Sequence, residues 1–224
     1  MAEVILALDL PGHGARRLLD QLPELRWVKV GAILFTQEGP ALVRELTGRG
    51  LNVFLDLKWH DIPNTVAGAV AAARDLGIHM ATVHTLGGSA MMEAAARAAG
   101  SDLALLGVTV LTSHTADSLG RAIGRNGVVV AEEVTRLTQH AVAAGLAGVV
   151  CAPQEVAMAR RTVGNRFVVV PGIRRPGEAA GDQARTASPR DAARSGASHL
   201  VVGRPILEAP DPAEALRETL ADAR

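Results

Sequence analysis

What most limits the folds open to this chain is a repeat of pattern: eight short apolar runs, each followed by a stretch with helical spacing, within 224 residues. The runs are Val4–Leu8, Trp27–Val30, Val53–Leu55, Met80–His84, Leu103–Leu111, Val149–Cys151, Phe167–Val170 and His199–Val202. Strands that alternate with helices pair in parallel. Eight such units in about the minimum length predict an α/β fold, a (β/α)8 TIM barrel, with residues 1–224 as one domain. An open doubly wound sheet is the rival. The barrel is preferred because Asp9, Lys29, Asp56, Thr112, Arg174 and Arg204 all stand at or just past strand ends, as expected when one rim carries the site.

Between the runs, Leu18, Leu19 and Leu22 share a helical face, and Leu42, Val43 and Leu46 form the stripe of a helix from about Glu38. Pro63 opens a helix through Val66, Val70 and Ala73 that stops at Gly77, and Gly87-Gly88-Ser89 caps another running to Gly100. The polar segment Thr115–Gly127 is a connecting loop with a helical turn around Ser118–Ile123, followed by a helix from Val130 up to Gly145. A helix runs from Pro153 through about Arg161, Ser188-Pro189 open a short one, and Pro212 starts the last. The stretch from about 174 to 188, rich in Gly, Pro and polar residues, is a mobile loop in which Glu178, Asp182 and Arg185 are solvated charge.

Composition narrows the function. Lysines and arginines total 23, acidic residues also 23, and tyrosine is absent, which argues against a basic face with stacking platforms for nucleic acid. The single cysteine, Cys151, leaves no intrachain disulfide and fits a reducing compartment, pointing to a cytoplasmic protein; it reads as a small buried thiol. The amino-terminal run lacks a basic lead and meets Asp9, unlike a signal peptide, and no apolar run reaches membrane-spanning length.

Chemistry concentrates in Asn52–Thr65, where an apolar run ends in three charges and a proline. Strand side chains two apart share a face, so Asp56 and Lys58 point the same way, with Asp61 in the turn that follows. Taken alone, this cluster is equally a solvated rim whose ion pair contributes little. The eighth run changes that balance. It ends Val202-Gly203-Arg204, where Gly203 permits close backbone approach and Arg204 offers a fork of donors suited to phosphate; Arg174 converges from the seventh. Gln183, in the loop between, is placed to close over the same group.

Together, Asp56-x-Lys58-x-x-Asp61-Ile62-Pro63-Asn64-Thr65, Pro171-Gly172-Ile173-Arg174, Asp182-Gln183 and Val202-Gly203-Arg204 resemble the orotidine 5'-phosphate decarboxylase family, over nearly the whole chain from Asp9 to Arg204. The resemblance implies decarboxylation of orotidine 5'-phosphate to UMP and CO2 in pyrimidine biosynthesis, without cofactor or metal. It implies a charged catalytic array of Lys29, Asp56, Lys58 and Asp61 with Lys58 as proton donor, and a homodimer in which Asp61 and Thr65 reach into the partner's site. Asp9 and Lys29 would hold ribose hydroxyls, and Thr112 would lie by the pyrimidine. Pro171 joins the substrate-binding set, and Arg174, Gln183, Gly203 and Arg204 would hold the phosphate. Arg175 makes the loop a residue longer than the family pattern; Arg174 is the preferred phosphate ligand. Rival readings are a metal-dependent sugar-phosphate lyase or decarboxylase on the same barrel and a catalytically silent nucleotide-binding barrel.

Among the histidines, His84 ends the fourth run in a packing role. His60 points away from Lys58 and Asp61 if the strand continues. His13, His79, His114, His140 and His199 show no zinc spacing.

Overall fold

The computed structural model describes residues 1–175 and 185–224; Gln183, with Glu178 and Asp182, lies outside the described residues. Eight parallel strands close into a barrel in chain order: β1 (Glu3–Ala7), β2 (Trp27–Gly31), β3 (Asn52–Trp59), β4 (Met80–His84), β5 (Ala104–Val108), β6 (Gly148–Val150), β7 (Phe167–Val170) and β8 (His199–Val202). Around them lie α1 (Gly12–Asp20), α2 (Ala32–Gly48), α3 (Pro63–Arg74), α4 (Gly88–Ala99), α5 (Ala116–Ile123), α6 (Val130–Ala143), α7 (Val156–Val163), α8 (Pro189–Arg194), α9 (Arg204–Leu207) and α10 (Pro212–Asp222). The chain is one TIM barrel, as the repeat of runs predicts.

Successive strand side chains face opposite ways, so each run supplies two cores. Ile5, Ala7, Phe54, Met80, Leu106, Val169 and Val201 fill the barrel interior. Val4, Leu6, Val28, Val53, Leu55, Ala81, Val83 and Val168 face outward and join helix residues such as Leu42, Val43, Val70, Met92 and Leu137 in the outer core. Burial on both faces is why the runs are continuously apolar instead of alternating. Close packing also fixes Gly148 in β6, since a Cβ there would fall 2.2 Å from the Phe167 carbonyl oxygen.

Several boundaries differ from those expected. The helix expected from about Glu38 already begins at Ala32 and carries a break at Gly39 (φ 63°, ψ −162°) before Pro40. Proline cannot continue the hydrogen-bond ladder and glycine absorbs the turn, while buried Leu34 anchors the earlier segment. Within the expected cap Gly87-Gly88-Ser89 it is Gly87 that occupies the N-cap of α4, at the end of a 3-10 turn, Thr85–Gly87, that is itself capped by the His84 side chain. The expected loop from Thr115 to Gly127 holds a full helix, α5, because Thr115 and Ser118 form a reciprocal capping box. Of Leu103–Leu111 only Ala104–Val108 is strand. Among the described residues no helix is long and apolar enough to cross a membrane.

Candidate active site

Strand parity assembles the site. Lys29 is two residues past Trp27 on β2, Asp56 two past Phe54 on β3, Thr82 two past Met80 on β4 and Asp9 two past Ala7, so these polar groups form a layer above the apolar interior. Lys29 Nζ donates to Asp9 Oδ1 at 3.0 Å and lies 4.0 Å from Asp56 Oδ2. Lys58 Nζ donates to that same Asp56 oxygen at 2.8 Å. The result is an alternating row, Asp9–Lys29–Asp56–Lys58. Gly31 makes room for it, since a Cβ there would sit 2.9 Å from Lys29 Nζ.

Burial separates the two ammonium groups. The Lys29 and Asp56 side chains are 11% and 13% exposed, whereas that of Lys58 is 38% exposed. Lys58 is thus the cation of the row presented to a molecule in the barrel mouth. Its backbone is unusual: φ is +51°, the left-handed region that costs a non-glycine residue about 1–2 kcal/mol. The cause lies in the register of β3 against β4, where Leu55 pairs with Ala81 and Trp59 with Val83, so four steps along β3 match two along β4. The strand therefore bulges under Lys58 instead of continuing regularly.

Thr82 bridges the bulge. Its hydroxyl donates to Asp56 Oδ1 at 3.0 Å and accepts from the Lys58 N–H at 2.9 Å, with the residue fully buried. Sequence reasoning overlooked Thr82 inside an apolar run; counting inward positions along β4 would have found it beside Asp56.

Asp61 does not join the row within one chain. It is exposed, and its Oδ1 accepts the Ile62 N–H at 2.6 Å. Thr65 is exposed in the first turn of α3. Thr112, half-buried, lies beyond β5.

At the other side of the rim, Pro171 and Gly172 (φ 78°) follow β7, and Gly203 and Arg204 follow β8, with Arg204 exposed at the start of α9. A Cβ on Gly203 would meet only ordinary contacts, 3.6 Å from the Ala7 Cβ, so crowding inside this chain does not require glycine there. The two arginines of the lengthened loop diverge. Arg174 donates from Nη1 to the Ile173 carbonyl at 2.7 Å, while Arg175 pairs with Glu218 on α10. Arg185 is not solvated charge: its side chain is only 16% exposed, pairs with buried Glu155 and donates to the Leu111 carbonyl at 3.2 Å. The stems of the loop meet in a bridge between Ile173 and Ala187, with Arg174 N–H donating to the Ala187 carbonyl at 2.9 Å.

Because β3 bulges, His60 stacks on His84 with ring centroids 5.6 Å apart. The His84 ring accepts from Leu86 N–H, and burial, with His60 and Lys58 nearby, pushes its pKa down to about 4. Cys151 is buried, and burial raises its thiol pKa. Among the described residues no three His, Cys, Asp or Glu side chains are grouped to hold a metal ion.

Residues 2–219 match the model of the orotidine 5'-phosphate decarboxylase / HUMPS family. The chain is similar to an orotidine 5'-phosphate decarboxylase of Anaeromyxobacter sp. (strain K), 49% identical over 97% of this chain and 96% of that protein. It is 52% identical to one from Alkalilimnicola ehrlichii, over 96% and 93% of the two chains. A crystal structure of the Lactobacillus acidophilus orotidine 5'-phosphate decarboxylase superposes with a TM-score of 0.88 at 39% identity, covering both chains fully.

Proposed function

The chain belongs to the orotidine 5'-phosphate decarboxylase / HUMPS family, and from that premise we propose that it converts orotidine 5'-phosphate to UMP and CO2, a step of pyrimidine biosynthesis. The observation that carries the reading is the Lys58 ammonium, 2.8 Å from Asp56 and presented at the open end of the barrel. Breaking the bond between C6 and the carboxylate leaves an electron pair in the plane of the pyrimidine ring, where its π system cannot delocalise it. A cation beside C6 stabilises that charge and then supplies the proton, and Lys58 does both.

Asp56 holds the Lys58 ammonium in place through a charge-assisted hydrogen bond of 2.8 Å. Preorganised stabilisation of the carbanion-like state ranks above repulsion between Asp56 and the substrate carboxylate, because the charges are already fixed by Lys29 and Thr82. In this reading Asp9 and Lys29 hold the ribose hydroxyls, Thr112 lies by the pyrimidine, and Pro171, Arg174, Gln183, Gly203 and Arg204 bind the phosphate end. Arg174 is favoured over Arg175, which is engaged with Glu218.

The active unit is a homodimer in which Asp61 and Thr65 complete the partner's site. Supporting this, Asp61 is exposed beside Ile62, 67% exposed, and the stacked His60 and His84 bring Leu86, 42% exposed, to the same region. Charge neutrality and the absence of a basic aromatic face argue against nucleic acid as partner.

The test is loss of ultraviolet absorbance on mixing purified protein with orotidine 5'-phosphate, with chelator and with magnesium. Turnover that persists in chelator is expected. Lys58→Ala should reduce turnover by about 10⁴-fold or more, since it removes cation and proton donor together, while UMP still binds. Near-normal decarboxylation by Lys58→Ala would sink the assignment, and turnover only with magnesium on a sugar phosphate would favour the metal-dependent reading.

A further inference from the structure

We infer that Thr82 is a positioning residue that fixes the Asp56–Lys58 pair, acting through both of its members at once; the inference deepens, and rests on, the decarboxylase reading. Thr82 touches neither the barrel mouth nor the solvent: it is fully buried on β4, in the inward layer between Met80 and His84.

Its hydroxyl has one proton to give, and the surroundings leave a single way to give it. Asp56 Oδ1, at 3.0 Å, is a carboxylate oxygen that only accepts, and the Lys58 N–H, at 2.9 Å, only donates. The proton therefore points at Asp56 and a lone pair at Lys58. Through the first bond the Asp56 carboxylate is held so that its other oxygen, Oδ2, faces Lys58 Nζ at 2.8 Å and Lys29 Nζ at 4.0 Å. Through the second bond the amide of Lys58 is satisfied where the bulge has taken it out of the β3–β4 ladder.

That second bond matters because Lys58 has the only positive φ among the described non-glycine residues, +51°. A left-handed lysine persists only when its neighbours hold it there. The left-handed turn belongs to the geometry that folds the Lys58 side chain back toward Asp56, two residues earlier on the same strand. One hydroxyl thus anchors the carboxylate from below and the lysine backbone from the side, and deleting it loosens both ends of one ion pair.

Three variants test this. Thr82→Val keeps the shape and removes the hydroxyl, Thr82→Ser keeps the hydroxyl, and Thr82→Ala removes it with less bulk, in case valine does not fold. Displacements of about 1 Å at a catalytic group cost on the order of 100-fold, so Thr82→Val or Thr82→Ala should lose about 10- to 100-fold in kcat on orotidine 5'-phosphate. UMP affinity, read by calorimetry, should stay within about threefold, and Thr82→Ser should keep kcat within about threefold of the parent. A folded hydroxyl-free variant with parental kcat would overturn the inference, and so would parallel losses of kcat and UMP affinity, which mark a purely structural role.

A crystal structure of Thr82→Val or Thr82→Ala gives a readout independent of activity. The Lys58 Nζ to Asp56 Oδ2 distance should exceed about 3.5 Å or Lys58 should leave positive φ; an unchanged pair would refute the positioning role. If the parent protein does not decarboxylate orotidine 5'-phosphate, the decarboxylase reading fails, and this structural readout still decides the role of Thr82.

Discussion

Arg185 carries its charge into the protein wall, where the guanidinium meets Glu155 and the Leu111 carbonyl. Glu155 also accepts the Ala152 N–H at 2.7 Å, so the Glu155–Arg185 pair joins the loops after β5 and β6 to the returning stem of the loop after β7. Burial pushes the Glu155 carboxyl up, and Arg185 opposes that shift. Arg185→Met leaves a buried carboxylate without its cation and should cost about 3 kcal/mol, or roughly 6–12 °C in Tm. Because the orphaned Glu155 can take up a proton, the loss should be smaller at pH 5 than at pH 8, and adding Glu155→Gln should recover part of it; equal losses at both pH values would contradict the pairing. Asp56 was legible in the sequence because period two carries the inward face of β3 from Phe54 to it; Lys58 was legible as its charged neighbour, although the left-handed turn and not regular alternation brings the two together. Arg185 was not, because its partners lie 30 and 74 residues away and its own segment reads as polar loop.

Strands β2, β7 and β8 begin with rings that close the floor of the barrel. His199 packs edge-on against Trp27 at 5.0 Å and Phe167 at 5.4 Å, and His79, just before β4, meets the other side of Trp27 at 5.7 Å. Burial pushes the His199 pKa down to about 4 from an ordinary 6.5. The unfolded chain therefore binds this proton first, and the stability present above pH 6.5 is lost as pH falls toward 4. At pH 5 the loss from His199 is about 2 kcal/mol, or roughly 4–8 °C in Tm. His84 shifts in the same direction, so His199→Phe should flatten the decline of Tm between pH 7 and pH 5 without abolishing it; an unchanged slope would mean that this ring titrates normally. The floor, like the early start of α2, escaped the sequence because both depend on neighbours: His199 looks like an ordinary strand end, and Gly39-Pro40 looks like a helix start. The strand count escaped nothing, since continuous apolar runs follow from burial on both faces.

As a whole molecule, one barrel places Asp9, Lys29, Asp56 and Lys58 in a row and leaves Asp61 and Thr65 exposed, on either side of exposed Ile62 in the chain. In the proposed homodimer, each Asp61 serves the other chain's site, where it is a second carboxylate for Lys58. The mixture of two defective chains separates this arrangement from an isolated site. Lys58→Ala and Asp61→Ala should each be nearly inactive alone. When they are unfolded or dissociated together and reassembled in equal amounts, half of the dimers are mixed, and each mixed dimer has one site with both residues intact, so activity should return to about a quarter of the parental value. If Asp61 serves its own chain, every site in the mixture lacks one residue or the other. No activity would then return, and the shared site would have to be abandoned while the row from Asp9 to Lys58 stood unchanged.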